Sequence, residues 1–316
     1  MKYIVTGAAG FIGSNLVDRL LKNGNEVLGI DNLSTGKIRF LQDAEKYSTF
    51  KFLDGDITDI NFLKNAFTSY DYVYHLSANA DVRSGLNHPF KDIEQNTIGT
   101  FNVLEAMRLN NISRISFSST GSVYGEAEKI PTPENAPFPI QTSLYGSSKL
   151  AGEGLISSYC EGFEFTANIF RFVGILGERY THGHVYDFYE KLKKDPSKLE
   201  ILGNGKQKKS YLYVQDCIDA MLLAENHLDE KINIYNLGVE DYCEVIDSVN
   251  VICNYLNVNP ELSFTGGDRG WVGDNPFIFL DTSRIKSLGW SPKLSIEKGI
   301  INTLVFLRDN EWVFKK

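Results

Sequence analysis

A glycine-rich turn set between a strand and a helix constrains this chain more than any other stretch. Lys2–Thr6 is a short β-rich run, and Gly7-Ala-Ala-Gly10-Phe-Ile-Gly13 comes directly after it. Residues 14–23 then have helical periodicity, with Leu16, Val17, Leu20 and Leu21 on one side. Glycines let a backbone approach a pyrophosphate, and a helix N-terminus offers unpaired N–H groups and the positive end of a dipole. A simple tight turn would use the same glycines, so the residues downstream have to decide between the two.

Those residues alternate regularly between strand and helix patterns. Residues 26–30 read as a second strand ending in Asp31, whose carboxylate suits a ribose diol and repels a 2′-phosphate, favouring NAD over NADP. Residues 50–53 are a third strand, leading to Asp56, where a carboxylate can meet an adenine amino group. Residues 58–67 read as a helix capped by Thr58. Residues 72–76 are a fourth strand, and the small residues 77–80 after it leave room for a cofactor. Residues 92–109 read as one long amphipathic helix containing Asn96. A fifth strand, 115–118, runs into the hydroxyl-rich stretch Ser118-Ser-Thr-Gly-Ser-Val-Tyr-Gly125. Hydroxyls at the carboxyl end of a central strand lie where a doubly wound sheet binds ligands. Residues 126–141, with Pro131, Pro133, Pro137 and Pro139, are a loop, and 166–170 a further strand. The expected fold is α/β, a mostly parallel sheet covered on both faces.

The segment Tyr145-Gly-Ser-Ser-Lys149 sets a phenol and an ammonium four residues apart. On a helix both fall on one face. A free tyrosine, with a pKa of about 10, is a poor base at neutral pH. Lowering it by about three units takes roughly 4 kcal/mol, which a lysine and a cationic nicotinamide together can supply. A surface helix with an exposed lysine would show the same spacing, so the surrounding motifs decide.

The bulk numbers exclude some classes. The 316-residue chain is long enough for two domains, and 42% apolar content supports a sizeable core. Net charge is −8, so nucleic acid and acidic membranes are not expected partners. No apolar run approaches the ~18 residues of a membrane span. Met1-Lys2 leads straight into the first strand, without a leader-like pattern. Cys160, Cys217, Cys243 and Cys253 are scattered, as expected of reduced thiols in a cytoplasmic protein. His182 and His184 have no cysteine or carboxylate cluster beside them, so no metal is expected and a loop or substrate role is preferred.

Taken in order, Thr6–Gly13, Asp31–Gly36, Asp56-Ile57, His75–Ala78, Asn96 with Gly99-Thr100, Ser118–Gly125 and Tyr145–Lys149 resemble an extended short-chain dehydrogenase/reductase of the sugar-nucleotide epimerase/dehydratase group. The resemblance runs nearly the whole length, and the chain is similar to UDP-glucose (UDP-galactose) 4-epimerases. It implies a Rossmann-type domain over 1–172 and a smaller α/β substrate-binding domain over 173–316, some segments of which can return to pack on the first. It implies NAD held by Gly7, Gly10, Phe11, Ile12, Gly13, Asp31, Asn32, Ser34, Thr35, Gly36, Asp56, Ile57, Leu76, Ala78, Ala80, Asn96, Ser118, Tyr145 and Lys149. Tyr145 is then the proton-transfer group, Lys149 holds the nicotinamide ribose, and Thr120 orients the sugar 4-hydroxyl. A UDP-sugar is expected to meet Thr120, Ser122, Tyr145, Gly174, His184, Val185, Lys209, Tyr211, Arg269 and Asp274. A homodimer through 92–109 and 143–159 is also implied.

The chain departs from the family pattern at two substrate contacts. Gly174 stands where many relatives carry a diphosphate-binding asparagine, and Trp271 stands at a usual arginine, with Arg269 two residues earlier. Ile278 aligns with a residue that limits space at the sugar's 2-position. UDP-GlcNAc and UDP-GlcA epimerases are therefore alternatives. A 4,6-dehydratase would need an Asp-Glu pair after the threonine, where this chain has Gly121-Ser122. A non-catalytic binding protein would be expected to lack the tyrosine or the lysine, and a 4-ketoreductase to exchange its cofactor.

Overall fold

In the computed structural model, residues 1–315 are described apart from Pro139, Asp229 and Pro276. Pro139, one of the four loop prolines, thus lies outside the described residues. The first half runs β1 (Lys2–Thr6), α1 (Phe11–Lys22), β2 (Glu26–Asp31), β3 (Phe50–Asp54), α2 (Ile60–Ala66), β4 (Tyr72–His75), α3 (Pro89–Asp92), α4 (Gly99–Leu109), β5 (Arg114–Thr120), α5 (Leu144–Phe163) and β6 (Thr166–Phe172). The second half runs β7 (Gly174–Leu176), α6 (His184–Lys194), β8 (Lys198–Ile201), β9 (Lys208–Lys209), β10 (Tyr211–Tyr213), α7 (Val214–Glu225), β11 (Ile232–Leu237), β12 (Cys243–Glu244), α8 (Val245–Leu256), β13 (Glu261–Phe264), β14 (Phe277–Ile278), α9 (Ser283–Ser287) and α10 (Ile296–Asp309).

Seven strands form one sheet in the order β11-β6-β5-β4-β1-β2-β3, every pair parallel. This is a Rossmann-type doubly wound sheet. Strand order reverses between β1 and β4, which opens a crevice at the carboxyl ends of the strands. The central strands are buried on both faces; β1 reads as an apolar run, whereas β5, Arg-Ile-Ser-Phe-Ser-Ser-Thr, buries serines among its apolar residues. Ile232–Leu237 lies past residue 172 yet pairs with β6 as the sheet's outer strand. One apolar cluster runs from Val5 and Leu16 through Ile218 and Leu237 to Leu304, joining the sheet face to the second half.

Two local expectations need correction. Asp59, not Thr58, caps α2: its carboxylate accepts from Asn61 N at 2.9 Å and Phe62 N at 3.0 Å. Thr58 is turned back, donating its hydroxyl to Asp56 Oδ1 at 2.7 Å. Residues 92–109 are not one α-helix. α3 ends at Asp92, Ile93–Ile98 is a π-helical segment, and α4 starts at Gly99. Such bulges widen the turn and re-aim side chains, here Asn96.

Candidate active site

The turn after β1 is shaped for close backbone approach. Gly7 has φ 72°, and a Cβ there would lie 2.8 Å from Ser77 N. A Cβ on Gly13 would lie 2.0 Å from Gly7 O. Gly10 caps α1 without any side-chain bond, so the first N–H groups face the crevice uncapped. Phe11 and Ile12 open the helix, half-buried.

Asp31 ends β2. Its Oδ2 accepts from Ala9 N at 2.9 Å and its Oδ1 from Leu33 N at 2.8 Å. Burial pushes its carboxyl above the ordinary range, against those two bonds. A carboxylate has about four acceptor sites, so lone pairs remain for a diol. A Cβ on Gly36 would lie 2.8 Å from Asp31 Oδ1, so only glycine lets this loop close over it. Ser34 and Thr35 are exposed on the same loop. Asn32 donates to Asp56 Oδ2 at 2.7 Å. Burial opposes ionisation of Asp56, but the bonds from Thr58 and Asn32 hold its carboxyl below the ordinary range. Ile57 is packed in the core against Gly99. These residues fit a dinucleotide: a glycine cradle, an uncapped helix end and a carboxylate at the tip of β2.

Leu76 and Ala78 are half-buried after β4, and Ala80 is exposed. Asn96 is fully buried and its amide is engaged within the protein. Its Oδ1 accepts from Asn79 N at 2.8 Å, and its Nδ2 donates to Ser148 Oγ at 2.9 Å. Asn96 therefore ties the turn after β4 to α5. His75 is pinned between Thr6 Oγ1 (2.8 Å) and Thr100 Oγ1 (2.9 Å). Burial, then the charge of Lys149, push its imidazole down to about 3, so it stays neutral.

The candidate reacting groups meet where β5 ends. Ser143 caps α5 by accepting from Gly146 N at 3.1 Å, which sets Tyr145 in the first turn. Lys149 Nζ donates to Ser118 O at 2.8 Å and lies 4.6 Å from the Phe117 ring centroid. Thr120 Oγ1 accepts from Ser122 N at 3.1 Å and hydrogen-bonds the Tyr145 phenol. That places Ser122 beside the pair.

The electrostatics differ from the sequence expectation. Burial, then the charge of Asp92, push the Tyr145 phenol up to about 12, against the Thr120 bond. Burial pushes the Lys149 ammonium down to about 7, opposed by Glu153. Lys149 therefore does not by itself acidify the phenol. A buried ammonium near its own pKa is only partly charged.

A buried network that sequence reasoning missed backs the pair. Glu153 lies one turn beyond Lys149 and accepts from Arg171 Nε at 3.0 Å and from Arg171 NH2 at 2.6 Å. Ser119 also donates to it. Arg171 NH1 donates to the Tyr124 hydroxyl at 2.7 Å and to Glu134 O at 2.9 Å. The four-residue step from Lys149 to Glu153 was the available signal.

In the second half, Tyr211 lies over Gly174, where a Cβ would be 2.5 Å from its Cδ1. The aromatic ring occupies the space an asparagine side chain would need. Tyr211 stacks on His184 at 4.8 Å, with its hydroxyl 3.0 Å from Nδ1. Burial, then Lys209, push His184 down to about 3. Val185, expected to meet the substrate, is wholly in the core at the start of α6 and exposes no surface to a ligand. Lys209 Nζ donates to Asp274 Oδ1 and Asn275 O, both at 2.8 Å. Arg269 donates to Asp274 O at 2.9 Å and pairs with Glu126. Both cations expected to meet a diphosphate thus already hold carboxylate partners. Among the described residues no group of three His, Cys, Asp or Glu is placed to hold a metal ion, and no helix is long and apolar enough to cross a membrane.

The chain is similar along nearly its whole length to known proteins. The chain is 32% identical over 319 residues to the UDP-glucose 4-epimerase of Mycolicibacterium smegmatis, covering 98% of this chain and 99% of that protein. It superposes on a crystal structure of UDP-galactose 4-epimerase with a TM-score of 0.89 at 34% identity, covering 99% of this chain and 100% of the other. The UDP-glucuronic acid 4-epimerase of Bacillus cereus, crystallised with UDP-glucuronic acid and NAD, gives a TM-score of 0.89 at 29% identity, covering 98% and 99%. The profile of the NAD dependent epimerase/dehydratase family matches residues 3–238, and the chain is a member of that NAD-using enzyme family.

Proposed function

We propose that this chain is a UDP-hexose 4-epimerase of the UDP-glucose/UDP-galactose type, acting through a transient 4-keto sugar. The observation that carries the reading is the convergence of Thr120, Tyr145 and Lys149 at the crevice end of β5. NAD, when bound, supplies the hydride acceptor and donor. Tyr145 removes the proton of the sugar 4-hydroxyl and later returns it. Thr120, oriented by Ser122 N–H, donates to the phenol oxygen and favours its ionised form. Lys149, held by Ser118 O, lends partial positive charge. Burial keeps water from the keto intermediate.

A 4,6-dehydratase is disfavoured by space as well as by residue type. A Cβ on Gly121 would lie 2.7 Å from Ile278 Cγ2, so the residue after Thr120 has no room for a carboxylate side chain. The same contact sets Ile278 beside the catalytic strand, where a residue limiting the sugar's 2-position belongs. Incubation with UDP-glucose, UDP-galactose, UDP-GlcNAc and UDP-GlcA, and identification of the products, tests the assignment. Interconversion of the first two with the highest kcat/KM is expected. A clear preference for UDP-GlcA, or a 4-keto-6-deoxy product, would overturn it.

The reading includes a homodimer. Phe90, Ile93, Phe101, Leu109 and Phe163 are exposed on the helical face formed by α3, the π segment, α4 and α5. Large apolar side chains exposed along neighbouring helices support an interaction surface there. Light scattering is expected to give twice the 35.6 kDa chain mass, and Phe101→Glu to return it to one. A wild-type protein that scatters as a single chain would refute the dimer.

A further inference from the structure

Among the described residues, Asp92 is the acidic side chain acting on Tyr145 that the mechanism above does not use. It closes α3 and is fully buried. Its Oδ1 accepts from Asn79 Nδ2 at 2.8 Å and from Asn96 Nδ2 at 3.5 Å. Among the described residues its Oδ2 has no hydrogen-bond partner. A Cβ on Gly85 would lie 2.5 Å from Oδ2 and 3.3 Å from Leu144 Cβ, so this oxygen lies near the start of α5, one residue before Tyr145. The bonded oxygen leads to the same turn by another route. Asn96 Nδ2 donates to Ser148 Oγ at 2.9 Å, and Ser148 Oγ donates to Tyr145 O at 2.8 Å. A buried carboxylate oxygen left bare is costly and asks for a reason.

We propose that Asp92 is a positioning residue for Tyr145: through Asn96 and Ser148 its carboxylate fixes the turn that carries the phenol. Held against that turn, its negative charge also disfavours the phenolate. The proposal rests on Tyr145 being the proton-transfer group. Other groups face the pair from each packed element. Asp81 and Lys91 act on Asp92, and burial pushes its carboxyl above the ordinary range. Thr120 faces the phenol from β5, Lys149 lies one turn further along α5, and His75 on β4 is neutral. Asp92 is the charged group that acts on the phenol most strongly. In the forward step this resists base formation, and in the return step it favours giving the proton back. The charge thus balances the two directions of an interconversion between near-equal sugars.

Asp92→Asn keeps the shape and the acceptor oxygen and removes the charge. In the NAD-loaded protein, two readouts are compared. One is the acid limb of the kcat/KM profile; the other is the ionisation midpoint of Tyr145 by carbon NMR of ζ-labelled tyrosine, assigned through its loss in Tyr145→Phe. Both are expected to fall by about one pH unit in Asp92→Asn. Asp92→Glu, which keeps the charge, should hold the wild-type midpoint. Ser148→Ala should lower kcat without moving the midpoint. Asp92→Ser, also uncharged, gives the same measurement if the amide variant does not fold. An unmoved midpoint in the uncharged variant would overturn the proposal while leaving Tyr145 as the base. Full turnover in Tyr145→Phe would instead sink the base assignment, and with it the proposal's catalytic meaning, whatever the midpoint does.

Discussion

Tyr145→Phe is expected to lower epimerase turnover about 10³-fold, within the range that positioned acid–base groups contribute. The fold should hardly notice. The substitution keeps the ring, which packs half-buried in the first turn of α5, and removes one hydroxyl whose partner is Thr120. Loss of a single hydrogen bond of this kind costs about 1 kcal/mol. NAD content should therefore remain at the wild-type level and the melting temperature close to it. The activity that does exist in the wild type should climb with pH on its acid side. Burial and Asp92 raise the phenol, so the base form is scarce at low pH and accumulates as pH rises. Coupled-assay rates and bound-NAD absorbance measure both halves of this result. A phenylalanine variant of near-normal rate would remove Tyr145 from the mechanism.

Glu153→Ala is expected to be the most destabilising single change near the site. Arg171 is only 1% exposed, and Glu153 holds it through two bonds. Removing one member of a buried ion pair leaves an uncompensated charge, at a cost of about 3–5 kcal/mol. In a protein of this size that lowers the melting temperature by roughly 5–8 °C. The loss should spread beyond α5. Arg171 also binds the Tyr124 hydroxyl and Glu134 O, and Tyr124 donates to Asn236 on β11 at 2.8 Å. The double change Glu153→Leu with Arg171→Met should lose less than Glu153→Ala alone, because it removes both charges. Glu153 is also the carboxylate that offsets the burial of Lys149. Its loss therefore weakens the cation as well as the fold. Thermal melts of the two variants decide the matter, and a single variant as stable as wild type would show the pair to be dispensable.

The alternation of strands and helices, the glycine cradle and the Tyr145–Lys149 spacing were all legible in the chain. Each rests on a local rule: a period of two or 3.6 residues, a glycine at positive φ, or a four-residue step on one helix face. The pairing of Ile232–Leu237 with β6 was not legible, because pairing across sixty-odd residues depends on which edge is left open, as β6 was. The break at Ile93–Ile98 escaped notice too, since an amphipathic pattern does not report a widened turn.

Sequence alone therefore determined the fold, the cofactor class and the placing of Tyr145 and Lys149 on one helix. Tertiary structure alone decided how those groups are charged. Asp92 reaches Tyr145 from across the chain, Asp274 and Glu126 take up Lys209 and Arg269, and Tyr211 fills the space above Gly174. Motif spacing records which side chains share a helix face or a turn. Charge and burial depend on everything that packs around them, and most of that comes from distant parts of the chain.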